Sequence, residues 1–316
     1  MARDPKSAGV KPGAPKAKST GEPMRLNKWL AECGIASRRH ADQLISEGAV
    51  LVNGKKVYEL GTRVQPNTDR ITVNGKPVKA PGEKVYILFN KPKNVVTTMS
   101  DPLGRPSISD YFQRLPVRVF PVGRLDWDSE GMILLTNDGD FSQAVNHPKE
   151  EIVKIYLVKV SGQPTEEQIN RLKTGVSIPS GRVQAKIAER VRGKGAGEKD
   201  WIKIGITEGK NRQIRFMFEK IGFDVIKLQR VAIGQLKMPS KLERGEFVFL
   251  TEKGLEKIFE RDKRDLPPTK VRARSAKTES RDKSSRDSGA AKPKPSKRVG
   301  GRQERGRARD PNPTRR

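Results

Sequence analysis

The distribution of charge along the chain limits where a folded core can form. Residues 265–316 hold 17 basic and 6 acidic residues, and no aromatic residue follows Phe259. Residues 1–23 are similar, with 5 basic and 2 acidic residues and few apolar side chains. Segments of this composition cannot bury enough apolar surface to offset the entropy lost on ordering. We therefore expect a disordered basic N-terminal extension, 1–23, a folded middle, and a disordered basic C-terminal tail, 262–316.

The charge that remains in the middle of the chain indicates a polyanionic partner. The full chain of 316 residues has a formal net charge of +28, and residues 24–264 contribute 43 basic and 29 acidic residues to it. Lys and Arg neutralise phosphates and release counterions, so a basic folded part is typical of proteins that bind RNA or DNA. For the tail, the alternative is that its charge only keeps the protein in solution. For the chain as a whole, the alternative partner is an anionic membrane surface.

The scarcity of cysteine, histidine and long apolar segments excludes several classes of protein. Cys33 is the only cysteine, which excludes an internal disulfide and a multi-cysteine zinc site and favours a reducing compartment. His40 and His147 are the only histidines, so we expect no metal site. Apolar runs fall far below the ~20 residues that a membrane helix needs, and no signal-peptide core is visible. We therefore expect a cytoplasmic protein that does not contact the membrane.

The segment 24–81 has the pattern of a small domain with two helices and short strands. Leu26 and Leu30 recur at helical spacing, and Ser37 can cap a second helix. Asn53-Gly54 predicts a tight hairpin turn. Basic residues accompany these elements and together predict one RNA-binding face: Arg25, Lys28, Arg38, Arg39, Lys55 and Lys56. For any one of them alone, a solvated surface position is the alternative.

This segment resembles a known RNA-binding module. The resemblance lies in Leu26-Asn27-Lys28-Trp29-Leu30, Ala36-Ser37-Arg38-Arg39 and Gly48-Ala49-Val50-Leu51-Val52-Asn53-Gly54. These runs are similar to the αL-type RNA-binding domain of ribosomal protein S-four and of several RNA-modifying enzymes. The resemblance implies that the helix pair binds structured RNA, and it implies nothing about chemistry.

The segment 82–261 contains the run with a candidate for chemistry. Residues 120–131 hold Asp126 and Asp128 between two glycines, just ahead of an apolar strand. Glycines permit a tight loop, which would present one of these carboxylates at the rim of a sheet. From residue chemistry alone, the alternative remains open that such an aspartate only caps a turn or pairs with an arginine.

The same run resembles a catalytic motif. Gly123-Arg124-Leu125-Asp126, followed by Ser129, Gly131 and Leu134-Leu135-Thr136-Asn137-Asp138-Gly139, is similar to the motif of the bacterial ribosomal-RNA pseudouridine synthases, in the branch with an αL domain ahead of the catalytic domain. Three further segments agree with this branch: 154–158, 208–215 and 228–234. Ser129 departs from the family, which usually has threonine there. The resemblance implies an α+β fold, with the αL domain followed by a catalytic domain on a mostly antiparallel mixed sheet.

The resemblance also implies an activity and the residues that carry it. The chain would isomerise a uridine of ribosomal RNA to pseudouridine without a cofactor or metal. Asp126 would attack the ribose or the uracil ring, with Arg215 beside it to keep the carboxylate charged. Tyr156 would stack on the uracil and help remove the proton from C5, and Arg124 would fill the space that the flipped base leaves. The expected phosphate and loop contacts are Asn211, Arg212 and Arg230.

Several alternatives stay open. Without the resemblance, Tyr156 is equally well a core residue of a strand, and Arg215 a charge on a strand surface. We expect large-subunit 23S rRNA as substrate, with small-subunit 16S rRNA as the alternative. A further alternative is a non-catalytic rRNA-binding factor for ribosome assembly. We expect a monomer that binds ribosomal RNA, free or in an assembling subunit.

Overall fold

The computed structural model describes residues 22–191 and 200–260 of the chain. The predicted tail, and the predicted N-terminal extension apart from its last two residues, lie outside these residues. In the described ranges, no helix combines the length and the apolar character needed to cross a membrane.

The first region consists of two short helices and short strands. Its elements, in chain order, are β1 (Met24–Arg25), α1 (Leu26–Glu32), α2 (Arg38–Ser46), β2 (Val50–Val52), β3 (Lys55–Lys56), β4 (Arg63–Val64), β5 (Ile71–Val73) and β6 (Lys76–Pro77). The hydroxyl of Ser37 accepts the backbone N–H of His40 and caps α2, as the sequence predicts. Leu26 and Leu30 are buried in a core that α1 and α2 share with the small sheet.

The hairpins of this region follow the predicted turn chemistry. Asn53 and Gly54 have φ values of 50° and 80°, the left-handed pair that a two-residue turn between β2 and β3 requires. Asn74 and Gly75 repeat this geometry between β5 and β6. The resulting sheet has the order β3-β2-β5-β6. It packs beside the helix pair and carries Lys55 and Lys56 on its edge strand.

The second region is built on one large mixed sheet. Its elements, in chain order, are β7 (Tyr86–Lys91), β8 (Phe120–Val122), β9 (Glu130–Thr136), α3 (Gly139–Asn146), β10 (Lys154–Val160), α4 (Glu166–Thr174), β11 (Val176–Ile178), β12 (Gly181–Val183), β13 (Ile187–Arg190), β14 (Trp201–Ile206), α5 (Gln213–Glu219), β15 (Val225–Ile233), β16 (Leu236–Lys237), β17 (Phe247–Phe249) and α6 (Glu252–Phe259). The order across the sheet is β13-β14-β10-β15-β9-β7-β17. Among the described strands of this sheet, β9 with β15 is the one parallel pair.

Strand β9 lies at the centre of this region and is buried on both faces. Ile133 and Leu135 point into the core that lies beneath α4 and α5, whereas Met132 and Leu134 point into the core beneath α3 and α6. The apolar run that follows the two aspartates is therefore a strand between two helical layers. The loop that precedes β9 is therefore attached to the start of a buried inner strand.

The two regions belong to one compact unit and make polar contacts with each other. The ammonium of Lys28 on α1 lies 2.8 Å from Oδ1 of Asp140 on α3. The guanidinium of Arg118 donates to the carbonyl of Ala36 at 3.3 Å. These contacts join α1 to α3, and the loop before α2 to the segment before β8.

Candidate active site

The loop between β8 and β9 folds into a tight turn that carries both aspartates. The backbone N–H of Ser129 donates to the carbonyl of Asp126 at 3.0 Å, which closes the turn. The backbone N–H of Asn94 donates to the carbonyl of Trp127, inside the turn, at 2.7 Å. The segment that follows β7 therefore clamps the turn from outside.

Lys91 supports the same turn from below. Its side chain is fully buried (0% exposed), and its ammonium donates to the carbonyls of Ser129 at 2.8 Å and Pro92 at 2.9 Å. The hydroxyl of Thr97 donates to the carbonyl of Leu125 at 2.7 Å, just before the turn. Two polar side chains thus fix the backbone on both sides of Asp126.

The charge of Lys91 is costly to keep inside the protein. Burial lowers the pKa of Lys91 from its ordinary value of 10.5 to about 8, although the nearby carboxylates of Asp128, Asp126 and Glu130 act in the opposite direction. The lysine therefore loses its proton far more easily than a surface lysine does.

A pocket of about 330 Å³ opens beside this turn, at the lower end of volumes typical of small-ligand sites. Its walls come from the turn, from β10 and from the loop that leads into α5. The lining residues are Arg124, Leu125, Asp126, Ser129, Tyr156, Ile206, Gly209, Lys210, Asn211, Arg212, Gln213, Ile214, Arg215 and Leu228. Six residues singled out from the sequence are therefore brought together: Arg124, Asp126, Tyr156, Asn211, Arg212 and Arg215.

The ion pair of Arg215 differs from the prediction. Arg215 lies in the first turn of α5, not on a strand surface, and its Nη2 is 2.8 Å from Oδ2 of Asp128 rather than beside Asp126. Nη1 of Arg212 approaches the same carboxylate oxygen at 3.8 Å. The expectation that Arg215 pairs with Asp126 was wrong because Asp128, two residues further along the turn, faces α5.

The carboxylate of Asp126 keeps its oxygens free of the protein. Within the described ranges, it makes no hydrogen bond or ion pair with another residue. It lines the pocket and is partly exposed. A molecule in the pocket can therefore reach both carboxylate oxygens without displacing a protein partner.

A buried glutamine shapes the wall of the pocket that the loop leading into α5 forms. Gln213, at the start of α5, is buried, and its Oε1 accepts the backbone N–H of Lys210 at 3.0 Å. Its Nε2 donates to Oε1 of Glu208 at 3.2 Å. These bonds hold the loop 208–212 in a closed shape that leaves the side chains of Asn211 and Arg212 exposed at the pocket.

Tyr156 reaches the pocket from β10 with a buried arginine behind it. Nη1 of Arg230 donates to the hydroxyl oxygen of Tyr156 at 3.4 Å, and its guanidinium lies 5.9 Å from the centre of the tyrosine ring. Arg230 also donates through Nε to the carbonyl of Met132 at 2.6 Å. Burial, followed by the charge of Arg230, lowers the pKa of neighbouring Lys154 to about 8.

Arg230 therefore differs from the expected phosphate contact. Its side chain is only 4% exposed, because β15 directs it to the same face as Tyr156, between β9 and β10. A residue so deeply buried cannot meet an RNA backbone directly. It supports Tyr156 instead.

Of the six basic residues of the first region that the sequence singled out, all but one are exposed. The exposed side chains are Arg25, Arg38, Arg39, Lys55 and Lys56. Lys28 differs because its ammonium lies between Asp140 and Glu32, at 2.8 Å and 3.6 Å. Its charge is balanced at the contact between the two regions, so it is less suited to bind phosphate.

Sequence reasoning missed Lys91, Gln213 and the role of Asp128. A signal for Lys91 was present, since a lysine directly follows the apolar run of β7 and precedes a proline. For Gln213 and Asp128, the pairing depends on how α5 meets the turn. In the described part of the chain, no cluster of three or more His, Cys, Asp or Glu side chains is placed to hold a metal.

Comparison with known proteins agrees with this arrangement. A family model described as RNA pseudouridylate synthase matches residues 85–220, and a model described as S4 domain matches residues 24–69. A solved structure described as a pseudouridylate synthase has a TM-score of 0.54 and 28% identity, and the match covers 74% of this chain and 99% of that one. The predicted order of an αL-type domain and a pseudouridine synthase domain is confirmed.

Curated relatives point to the same family. The chain is similar to ribosomal large subunit pseudouridine synthase B of Bacillus subtilis, with 41% identity over 78% of this chain and 94% of that protein. It is also similar to a protein of the same name from Pseudomonas aeruginosa, with 36% identity over 75% of this chain and 62% of that protein. An uncharacterised RNA pseudouridine synthase of Aquifex aeolicus is 38% identical over 75% of this chain and 94% of that protein. Together with the pocket around Asp126, these matches show that the chain belongs to the family of RNA pseudouridine synthases.

Proposed function

We propose that this enzyme isomerises a uridine of large-subunit ribosomal RNA to pseudouridine, with Asp126 as the reacting carboxylate. The observation that carries the proposal is the pocket in which Asp126 is free of protein partners and lies with Tyr156 and Arg215. The names of the relatives from Bacillus subtilis and Pseudomonas aeruginosa support the large-subunit target.

The reaction breaks the bond between ribose C1′ and uracil N1, turns the base, and forms a bond between C1′ and C5. Asp126 attacks either C1′ or the uracil ring, and both routes need the free carboxylate oxygens described above. The hydroxyl of Tyr156 is the candidate group to take the proton that leaves C5 while it passes its own proton on, and N1 of the rejoined uracil gains one proton, so none is gained or lost overall. Because Arg230 donates to the hydroxyl oxygen, the tyrosine is held in one direction.

Asp128 and Arg215 have a positioning role in this scheme. Their ion pair ties the catalytic turn to α5, and α5 begins at the wall of the pocket. Both side chains are partly buried, so water and salt screen their attraction less than that of a surface ion pair. They keep the turn in place while the target uridine leaves its stack.

RNA contacts extend the site beyond the pocket. Arg124 is exposed beside the turn and is the candidate to fill the space left by the flipped base. Five exposed basic residues of the first region, Arg25, Arg38, Arg39, Lys55 and Lys56, would contact the RNA backbone and supply affinity that does not depend on sequence. We further propose a cytoplasmic monomer that acts on ribosomal RNA, free or in an assembling subunit.

Tritium release from RNA labelled at uridine C5 tests the proposal. The wild-type chain is expected to release tritium from large-subunit rRNA and not from small-subunit rRNA. Asp126→Asn is expected to abolish release while RNA binding persists, and Asp128→Asn to slow release without abolishing it. Undiminished release by Asp126→Asn would exclude the proposed role of this residue.

The same assay separates the remaining alternatives. Release from small-subunit rRNA alone would overturn the target but leave the activity. A chain that binds ribosomal RNA and releases no tritium from either RNA would be a non-catalytic binding factor. Mapping pseudouridine in the treated RNA by reverse transcription then identifies the modified position.

A further inference from the structure

Trp127 is the residue of the turn 126–129 whose side chain has no evident role in the fold. Asp126 lines the pocket, Asp128 pairs with Arg215, and Ser129 is buried. The indole of Trp127, by contrast, is 56% exposed. In the described ranges, it makes no ring or cation contact with another residue.

The turn itself does not require a tryptophan. Trp127 is the second residue of the turn that runs from Asp126 to Ser129, and this position of a common turn accepts most residue types. Its backbone carbonyl is already held by the N–H of Asn94. A small polar side chain would satisfy the same backbone geometry and leave less apolar surface in water. The exposed indole is therefore better explained by a partner than by the fold.

The position of Trp127 defines which partner it can meet. It does not line the pocket, although Asp126 and Ser129 on either side of it do. The base that enters the pocket is therefore not its partner. When a uridine leaves its stack, the bases on either side of it lose a stacking surface. Trp127 is next in the chain to the reacting carboxylate, so one of these flanking bases is the nearest candidate.

The chemistry of the surroundings fits a nucleobase. Exposed arginines, Arg124 and Arg212, lie at the pocket beside the turn. Aromatic side chains among basic residues are typical of proteins that bind single-stranded nucleic acid, because every base has a face that can stack. The backbone on both sides of the indole is fixed, so little freedom is lost when a base stacks on it.

We propose that Trp127 stacks on a nucleobase next to the target uridine and so contributes to the choice and binding of the RNA. The proposal rests on the proposed function, because the substrate is taken to be RNA with a flipped uridine. It adds a specificity-determining residue outside the pocket.

A double-mutant cycle between protein and RNA tests this. The probe is a short fluorescent fragment of large-subunit rRNA that contains the mapped uridine, bound to the full chain with Asp126→Asn. Adding Trp127→Ala is expected to weaken binding about tenfold, which corresponds to ~1.4 kcal/mol, whereas Trp127→Phe retains most of the affinity. The nucleotides 5′ and 3′ of the uridine are each replaced in turn by an abasic residue. At the one that stacks on Trp127, the replacement is expected to remove the effect of Trp127→Ala.

The controls keep this outcome separate from folding and from the proposed function. Phe249→Ala removes another exposed aromatic ring, on β17, and is expected to leave binding unchanged. Unchanged RNA binding by Trp127→Ala would overturn the proposal. So would a loss of affinity on Trp127→Ala that stays the same whether the nucleotide 5′ or the nucleotide 3′ of the uridine is abasic. If the wild-type chain modifies no uridine, the proposed function has failed. The stacking proposal then fails with it, whereas tritium release by the wild-type chain together with unchanged binding by Trp127→Ala overturns the stacking proposal alone.

Discussion

The buried lysine beneath the turn 126–129 makes the free energy of unfolding depend on pH, by an amount that follows from its two pKa values. The pKa of Lys91 is 10.5 as an ordinary side chain and about 8 in the folded protein, where burial is the main cause of the change. Between these values, the unfolded chain holds a proton at this position that the folded chain has released. The free energy of unfolding must therefore rise as pH increases from 8 to 10.5.

The expected size follows from the two pKa values. They differ by roughly 2.5, and one pKa unit corresponds to about 1.4 kcal/mol, so Lys91 contributes about 3–4 kcal/mol across this range. Below pH 8, both states are protonated and this contribution is absent. Above pH 10.5, both states are neutral and it is fully present.

Lys91→Met isolates the effect because methionine has a similar length and no proton to release. The variant leaves the carbonyls of Ser129 and Pro92 without their donor, which costs about 1–3 kcal/mol for each buried group at every pH. The pH-dependent part is therefore the difference between wild type and variant. Denaturant unfolding of both chains from below pH 8 to above pH 10.5 is expected to show wild type gaining about 3–4 kcal/mol relative to Lys91→Met.

A surface lysine provides the matched control. Lys79 is exposed, so Lys79→Met is expected to remain parallel to wild type at every pH. The free energy of unfolding of wild type minus that of Lys91→Met is the decisive quantity. If it stays constant over this range, or falls as pH rises, then burial does not lower the pKa of Lys91. The account of how the turn is supported would then be wrong.

Other substitutions test the pocket, the packing of β9 against β15 and the contact between the two regions. Asp128→Asn is expected to slow single-turnover tritium release about 10- to 100-fold by loosening Arg215, because a partly buried ion pair lies between surface and buried pairs in strength and its loss costs about 1.5–3 kcal/mol; an unchanged rate would refute the positioning role. Gly131→Ala is expected to destabilise the chain by about 3 kcal/mol or more in thermal unfolding, since its Cβ would lie 2.3 Å from the carbonyl oxygen of Arg230 at a φ of 106°; a variant with wild-type stability would contradict this packing. Lys28→Ala is expected to change the unfolding free energy by at most ~1 kcal/mol, because the ion pairs of Lys28 are solvent-exposed; a larger loss would mean that these pairs hold the two regions together.

Local features of the fold were predictable from the sequence, and the reasons are local. Ser37 signals the start of α2, and two Asn-Gly pairs signal hairpins, because each depends only on a few neighbouring residues. The turn around Asp126 was predictable in the same way from its flanking glycines. The resemblance to the family motif then assigned chemistry to a loop that residue types alone left ambiguous.

Features that depend on contacts between distant strands were not predictable from single positions. Arg230 lies on β15, and its burial follows from the parallel pairing of β15 with β9, almost 100 residues earlier in the chain. The partner of Arg215 depends on how α5 is docked against the turn. Glycine at position 131 marked the close approach of these strands, but it did not reveal which side chain would be enclosed.

Two aspartates in one turn explain how a strongly basic protein can keep one carboxylate available. In a chain with a net charge of +28, cations are abundant and attract any carboxylate near them. Asp128 pairs with Arg215 and approaches Arg212, and Lys91 donates to backbone carbonyls instead of to a carboxylate. Arg215 and Lys91 are therefore occupied, and Asp126 faces the pocket without either of them bound to it. Removal of Asp128 should thus harm the enzyme in two ways, because it loosens the turn and releases an arginine that can bind Asp126 in place of the substrate.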